Sequence, residues 1–223
     1  MQEFATPAPV SAVLDIAAGR IRFIAADRAD TRVEVLPANA SKGRDVRAAE
    51  QTAVEFADGV LRIRTPEGKN QLLGASGSVE VTVQLPAGSR VEAKAASAEF
   101  RGVGRLGDVV FEGAQGTVKL DETAGARLTL MAGDVSLGRL GGPARISTQK
   151  GDIRIAEAVR GAVELRTRAG DVSVGAARGV SASLDAGTGH GRIHNALHNS
   201  DGATPALTIH ATTAYGDITA RSI

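Results

Sequence analysis

The sequence predicts an all-β fold, a single-chain β-solenoid, and three observations predict it. The first is a repeated motif, Gly-Asp-Φ-x-Φ with Φ apolar. It reads Gly133-Asp134-Val135-Ser136-Leu137, Gly151-Asp152-Ile153-Arg154-Ile155, Gly170-Asp171-Val172-Ser173-Val174 and Gly216-Asp217-Ile218-Thr219-Ala220. Weaker copies stand at Gly116-Thr117-Val118-Lys119-Leu120 and Gly191-Arg192-Ile193-His194, and a degenerate one at Ala98-Glu99-Phe100. The second is period-two alternation before each glycine, with mostly polar residues at the intervening positions. Val163, Leu165 and Thr167 precede Gly170 with Glu164 and Arg166 between them, and the other repeats follow suit. Alternation of this kind marks a half-buried strand. The third is the spacing of the glycines, 17 to 25 residues, too short for a crossover that contains a helix.

About 18 residues at roughly 3.3 Å each give a contour near 60 Å. That length suits one roughly triangular coil with three faces of about 20 Å, stacked on the next coil at about 4.8 Å. Seven coils would stand on the order of 30 Å tall. A meander of antiparallel hairpins fits less well, because it does not need the same residue type in the same register of every repeat. Stacking does. Pro143 falls in a connection and Pro205 in the long insertion, so neither interrupts a repeat strand.

The N-terminal segment, 1–90, reads as less regular β strands continuous with the regular repeats of 91–223. Ala12, Leu14 and Ile16 precede Gly19, and Ile21 and Phe23 follow it, which predicts a strand–turn–strand unit over 10–35. Residues 54–63 read as a hairpin around Asp58-Gly59. Val79, Val81, Val83 and Leu85 alternate with Glu80, Thr82 and Gln84 as a further strand. Residues 38–52 and 66–77 are polar or rich in Gly and Ser and read as loops, with a short helix around 45–51.

The repeats at 133, 151, 170 and 216, together with Val81-Thr82-Val83-Gln84-Leu85-Pro86-Ala87-Gly88, resemble the bacterial "putative adhesin" family of unknown function. In shape the pattern is also similar to the bactofilin-type polymerising solenoids. The resemblance covers most of the chain. It implies a β-solenoid, with right-handed coils, and a role at a surface.

Composition narrows the function classes. In 223 residues, Lys plus Arg is 26 and Asp plus Glu is 25, a net charge of +1 that favours neither nucleic acid nor an anionic membrane. Cysteine is absent, which excludes disulfides, thiolate metal ligands and thiol catalysis. Aromatics are 3%, so the core is expected from small and β-branched side chains, and no aromatic platform for stacking a sugar or base is evident. The start, Met1 to Pro9, lacks the basic and apolar regions of a signal peptide, and no apolar run is long enough to span a membrane. A cytoplasmic location is the expectation, or export if a leader or anchor precedes the sequence.

Three sets of residues are candidates for chemistry. Asp134, Asp152, Asp171 and Asp217 should form an outward column interrupted by Arg192. Such a column could hold a cation or line a groove for sugar chemistry, but carboxylates beside glycine corners more simply accept backbone amides. Thr148, Thr167, Thr188 and Thr213 share one inward position and predict a hydroxyl ladder tied to a neighbour or to the corner backbone. His190, His194 and His198 are spaced by four, but they fall on a strand and a loop, where that spacing does not gather imidazoles around a metal. Gly102-Val103-Gly104-Arg105-Leu106-Gly107 spells a dinucleotide-type glycine pattern without a following helix. No catalytic, cofactor-binding or metal residue is assigned, and no cofactor is implied.

The expected function is therefore structural: a rigid solenoid that binds a protein partner or itself. The last repeat ends at Ile223 with no polar cap after it, so the open end of the stack should associate with another copy. The alternatives are a glycan-binding module and, behind it, an enzyme acting on polysaccharide.

Overall fold

The computed structural model describes residues 1–66, 77–199 and 204–223. Most of the loop expected at 66–77 lies outside the described residues. The chain divides into two compact units, Met1–Gly116 and Thr117–Ile223.

The first unit contains β1 (Gln2–Ala5), β2 (Ser11–Ala26), β3 (Asp30–Pro37), α1 (Gly43–Gln51), β4 (Ala53–Ala57), β5 (Val60–Arg64), β6 (Ser78–Pro86) and β7 (Arg90–Gln115). Strand β2 turns at Gly19 (φ 142°), as the strand–turn–strand reading requires. Its first half lies parallel between β5 and the start of β7, and its second half parallel between β6 and the middle of β7. Antiparallel strands complete the unit, with β4 on β5, β3 on β6 and β1 on β3. The hairpin turns at Asp58 (φ 52°) and Gly59 (φ 74°), the left-handed pair that a two-residue hairpin favours. Helix α1 falls where the short helix was expected, and its buried Asp45 accepts the Ser78 N–H at 3.0 Å.

All five phenylalanines lie in this unit. Phe23, Phe100 and Phe111 are fully buried and stack in a row, with ring centroids 5.8 and 5.1 Å apart. Phe4 and Phe56 pair at 5.2 Å between β1 and β4. Tilted pairs at these distances add to burial energy through their quadrupoles.

The second unit holds β8 (Val118–Ala132), β9 (Val135–Leu140), β10 (Ala144–Lys150), β11 (Ile153–Ala158), β12 (Gly161–Ala169), β13 (Val172–Ala176), β14 (Ala182–His190), β15 (Ile193–Ala196), β16 (Leu207–Tyr215) and β17 (Ile218–Ser222). Every pairing among them in the described residues is parallel, the inward positions meet like on like, and the register shifts once, between Ile155 and Ala158 where β11 meets β13. The strands before the glycines form one sheet and those after them a second. Leu128, Ile146, Leu165 and Ile209 stack inward from the first, and Val135, Ile153, Val172 and Ile218 from the second, all at most 1% exposed. This core is aliphatic, as the composition requires, and the coil is the β-solenoid unit predicted.

One expectation fails. The coils do not stack in chain order. Strand β16 lies between β12 and β14, and β17 between β13 and β15. The last coil is inserted one place back, and β14–β15 forms the edge. The physical reason is register. The coil at 207–222 carries the full set Ile209, Ala211, Thr213, Gly216, Asp217, Ile218 and Ala220, all of which are filled positions of the core or corner. The coil at 182–196 carries Arg192 for Asp and Asn195 for an apolar residue, and its Ile193 is 45% exposed. The better-formed coil takes the interior place. The prediction that the last repeat leaves the stack open is thereby corrected.

Candidate functional site

The corner glycines position everything near them. Gly133, Gly151, Gly170, Gly216 and Gly191 have φ between 139° and 156°. A Cβ on Gly151 would overlap the carbonyl oxygen of Gly133, and one on Gly170 that of Gly151. Only glycine lets adjacent coils approach this closely while holding that backbone.

The residue after each glycine forms a ladder. Asp134 Oδ1 accepts the Asp152 N–H at 2.9 Å, Asp152 Oδ1 the Asp171 N–H at 2.8 Å, and Asp171 Oδ1 the Asp217 N–H at 2.8 Å. Asp217 Oδ1 accepts the Arg192 N–H at 2.8 Å, and the Arg192 guanidinium donates to Asp217 Oδ2 at 3.0 Å. The amide and guanidinium of Arg192 hold the Asp217 carboxyl below the usual carboxylate range. The carboxylates therefore do the backbone work expected of them, across coils rather than within one. Arg192 ends the column instead of interrupting it, because the inserted coil puts Asp217 next to Asp171.

The threonine ladder also forms. Thr167 Oγ1 donates to the Gly151 carbonyl at 3.0 Å, Thr213 to Gly170 at 3.0 Å and Thr188 to Gly216 at 3.0 Å, while Thr148 reaches Lys150 O at 3.2 Å. Thr148, Thr167 and Thr213 are buried, so these bonds satisfy hydroxyls that would otherwise be costly.

The histidines separate. His190 sits at a corner, His194 is exposed on β15, and the His198 backbone N–H donates to Ser222 Oγ at 2.9 Å. Among the described residues no group of His, Asp and Glu is arranged to hold a metal ion. Within Gly102–Gly107, side chains on Gly104 and Gly107 would overlap the carbonyl oxygens of Ala25 and Gly88. Close backbone approach thus explains these glycines.

Two arrangements escaped the sequence reading. The first is a shallow depression on the outer face of the pre-glycine sheet, lined by Glu164, Arg166, Asp185, His210 and Thr212. His210 on β16 lies in register between Glu164 on β12 and Asp185 on β14, with Nδ1 3.2 Å from Asp185 Oδ2. Arg145 donates to Glu164 at 3.0 Å and holds its carboxyl below the usual range, with smaller contributions from Arg166 and His210. Arg145, Glu164, His210 and Asp185 each stand six residues before a corner glycine. That shared offset was the available signal, but their order depends on the inserted coil.

The second is an aromatic pair. Tyr215 and His190 each directly precede a corner glycine, and their rings stack at 4.9 Å with 11° between planes. Tyr215 remains 58% exposed. The absence of an aromatic platform, expected from composition, is corrected here: two residues 25 apart in sequence become neighbours through insertion.

A structure described as a "putative adhesin" from Parabacteroides distasonis is 15% identical over 98% of this chain and 95% of that one, with a TM-score of 0.52. It shows the same fold. A "putative adhesin" from Bacteroides fragilis is 12% identical over 98% and 95%, TM-score 0.46. A "putative cell adhesion protein" from Clostridium sporogenes is 13% identical over 100% and 98%, TM-score 0.42. No curated protein matches the chain. The family model described as Toastrack DUF4097 matches residues 13–222, nearly every strand of both units, and the chain belongs to that family.

Proposed function

We propose that the chain is a non-enzymatic β-solenoid module, adhesin-like in kind, that acts as a rigid scaffold through surface contacts with a partner protein or a second copy of itself. One observation carries this reading: the repeated polar side chains are committed to architecture. The aspartates hold amides and the threonines hold carbonyls of the next coil. A module built this way keeps a fixed surface and spends its repeated chemistry on stiffness.

Self-association would use the edge coil. Strands β14 and β15 pair on one side only among the described residues. Arg192 replaces the aspartate that would accept the next amide, so the parallel stack does not extend there. Pairing of two edges across a two-fold axis, antiparallel, avoids that missing acceptor. Light scattering across a concentration series, with negative-stain imaging of the most concentrated sample, tests this. Mass growing toward a dimer supports association through the edge. A monomer at every concentration overturns it and leaves a partner protein on the faces. Turnover of a polysaccharide by the purified chain would overturn the non-enzymatic reading.

A second reading, glycan binding, is favoured by the exposed Tyr215–His190 stack, since aromatic faces are what sugar rings pack against.

A further inference from the structure

The residues that directly precede the corner glycines stand in one row across the sheet. In spatial order they are Lys150, Ala169, Tyr215 and His190, on β10, β12, β16 and β14. His190 covers one face of the Tyr215 ring. The other face looks along the row toward β12, where the side chain is only the methyl group of Ala169. Lys150 stands on the far side. Neighbouring strands are about 4.8 Å apart, so the space from Lys150 to Tyr215 is about 10 Å wide with a small residue as its floor. One more ring placed over Ala169 continues the stack at the spacing that His190 and Tyr215 already keep.

The surroundings select the kind of ring. Asp171 lies two residues beyond Ala169, and Asp152 two beyond Lys150. Each uses Oδ1 for the ladder, and each Oδ2 has no protein partner among the described residues. These oxygens are exposed acceptors held in a fixed orientation. Lys150 supplies a donor from the far wall. A pyranose offers an apolar C–H face to the tyrosine and hydroxyls to the carboxylates. A nucleotide also offers a flat ring, but its phosphate would meet the aspartate row.

We propose that the gap over Ala169, between Tyr215 and Lys150, is a subsite for a single saccharide ring, stacked on Tyr215 and hydrogen-bonded through its hydroxyls to Asp171 and Asp152. This rests on the glycan reading above and deepens it by naming the place.

The chain contains one tyrosine and no tryptophan, so tyrosine emission reports on Tyr215 alone. The experiment titrates the full chain with chitotriose, cellotriose and mannotriose to about 10 mM, reading tyrosine emission and saturation transfer to the sugar. Adenosine monophosphate is the control ring. The variants are Ala169→Leu, which fills the gap and keeps the fluorophore, Tyr215→Ala and Tyr215→Phe. A saturable response to at least one saccharide, weakened tenfold or more by A169L and Y215A and retained by Y215F in saturation transfer, supports the subsite. Wild-type binding that A169L and Y215A leave unchanged overturns the subsite while glycan binding stands. No response to any of the saccharides by the wild type overturns both. A response to adenosine monophosphate alone overturns the ligand class. Y215A removes only an exposed side chain, so it keeps the test informative if A169L folds poorly.

Discussion

A methyl group is too large for the corner of this repeat. Gly151 has φ 139°, and its Cβ would overlap the Gly133 carbonyl. Gly151→Ala should therefore combine backbone strain with a clash and cost about 3 kcal/mol. Gly179 has φ 76° but nothing within 4 Å of its Cβ position, so Gly179→Ala should cost only about 1 kcal/mol. Urea denaturation midpoints at constant slope rank the two, and the reverse ranking would contradict the corner geometry. Ionisation is the other property that belongs to single residues. Asp30, Glu164 and Asp217 are held below the ordinary carboxylate range by Arg28, Arg145 and Arg192 respectively. A lowered folded pKa means that the unfolded chain takes up the proton first as pH falls. Their contribution is thus complete above the ordinary range, near 4, and is lost as pH drops through the lowered folded values. Melting temperature should be flat from neutral pH to about 5 and fall below about 4. Arg192→Ala should make the acid limb shallower, and an unchanged limb would count against the Asp217 pairing.

At the scale of a strand, β11 separates packing from cornering. Ile153 is fully buried between Val135 and Val172, while Asp152 beside it is exposed. Ile153→Asp loses apolar burial and desolvates a charge, and should cost several kcal/mol, about 4. Asp152→Ala frees one exposed amide to water and should cost about 1 kcal/mol. Thermal melts of the two variants check this, and equal losses would mean the register is wrong. The strands themselves were legible in the sequence because their signal is local. Alternation places Val163, Leu165 and Thr167 inward whatever lies beside β12. The Thr–carbonyl and Asp–amide bonds were legible for the same reason, since both partners recur in every repeat. The depression around His210 and the Tyr215–His190 stack were not. Each joins residues whose adjacency depends on which coil sits next to which, and all coils carry nearly the same sticky edges. The deciding differences were small: Arg192 for Asp, Asn195 for an apolar residue.

For the second unit as a whole, the inserted coil acts as a keystone. Strands β14 and β15 pair, among the described residues, with β16 and β17 and not with β12 or β13. Ile218 is 1% exposed in the inserted coil. Ile218→Asp in the full chain should release two coils together. Native-state hydrogen exchange should show 182–196 and 207–222 losing protection in one step while 144–158 keeps it. Protection retained at 182–196 would show that the edge coil holds on without its neighbour. The order of synthesis adds a temporal consequence. Chains emerge from the N-terminal side and fold as they appear. The segment 182–196 leaves the ribosome before 207–222, the residues it leans on in the finished fold. A stalled or nicked chain lacking them keeps a growing stack whose exposed rung ends in Asp171, an aspartate still ready to accept an amide, and so is the form most prone to capture a coil from a neighbouring chain.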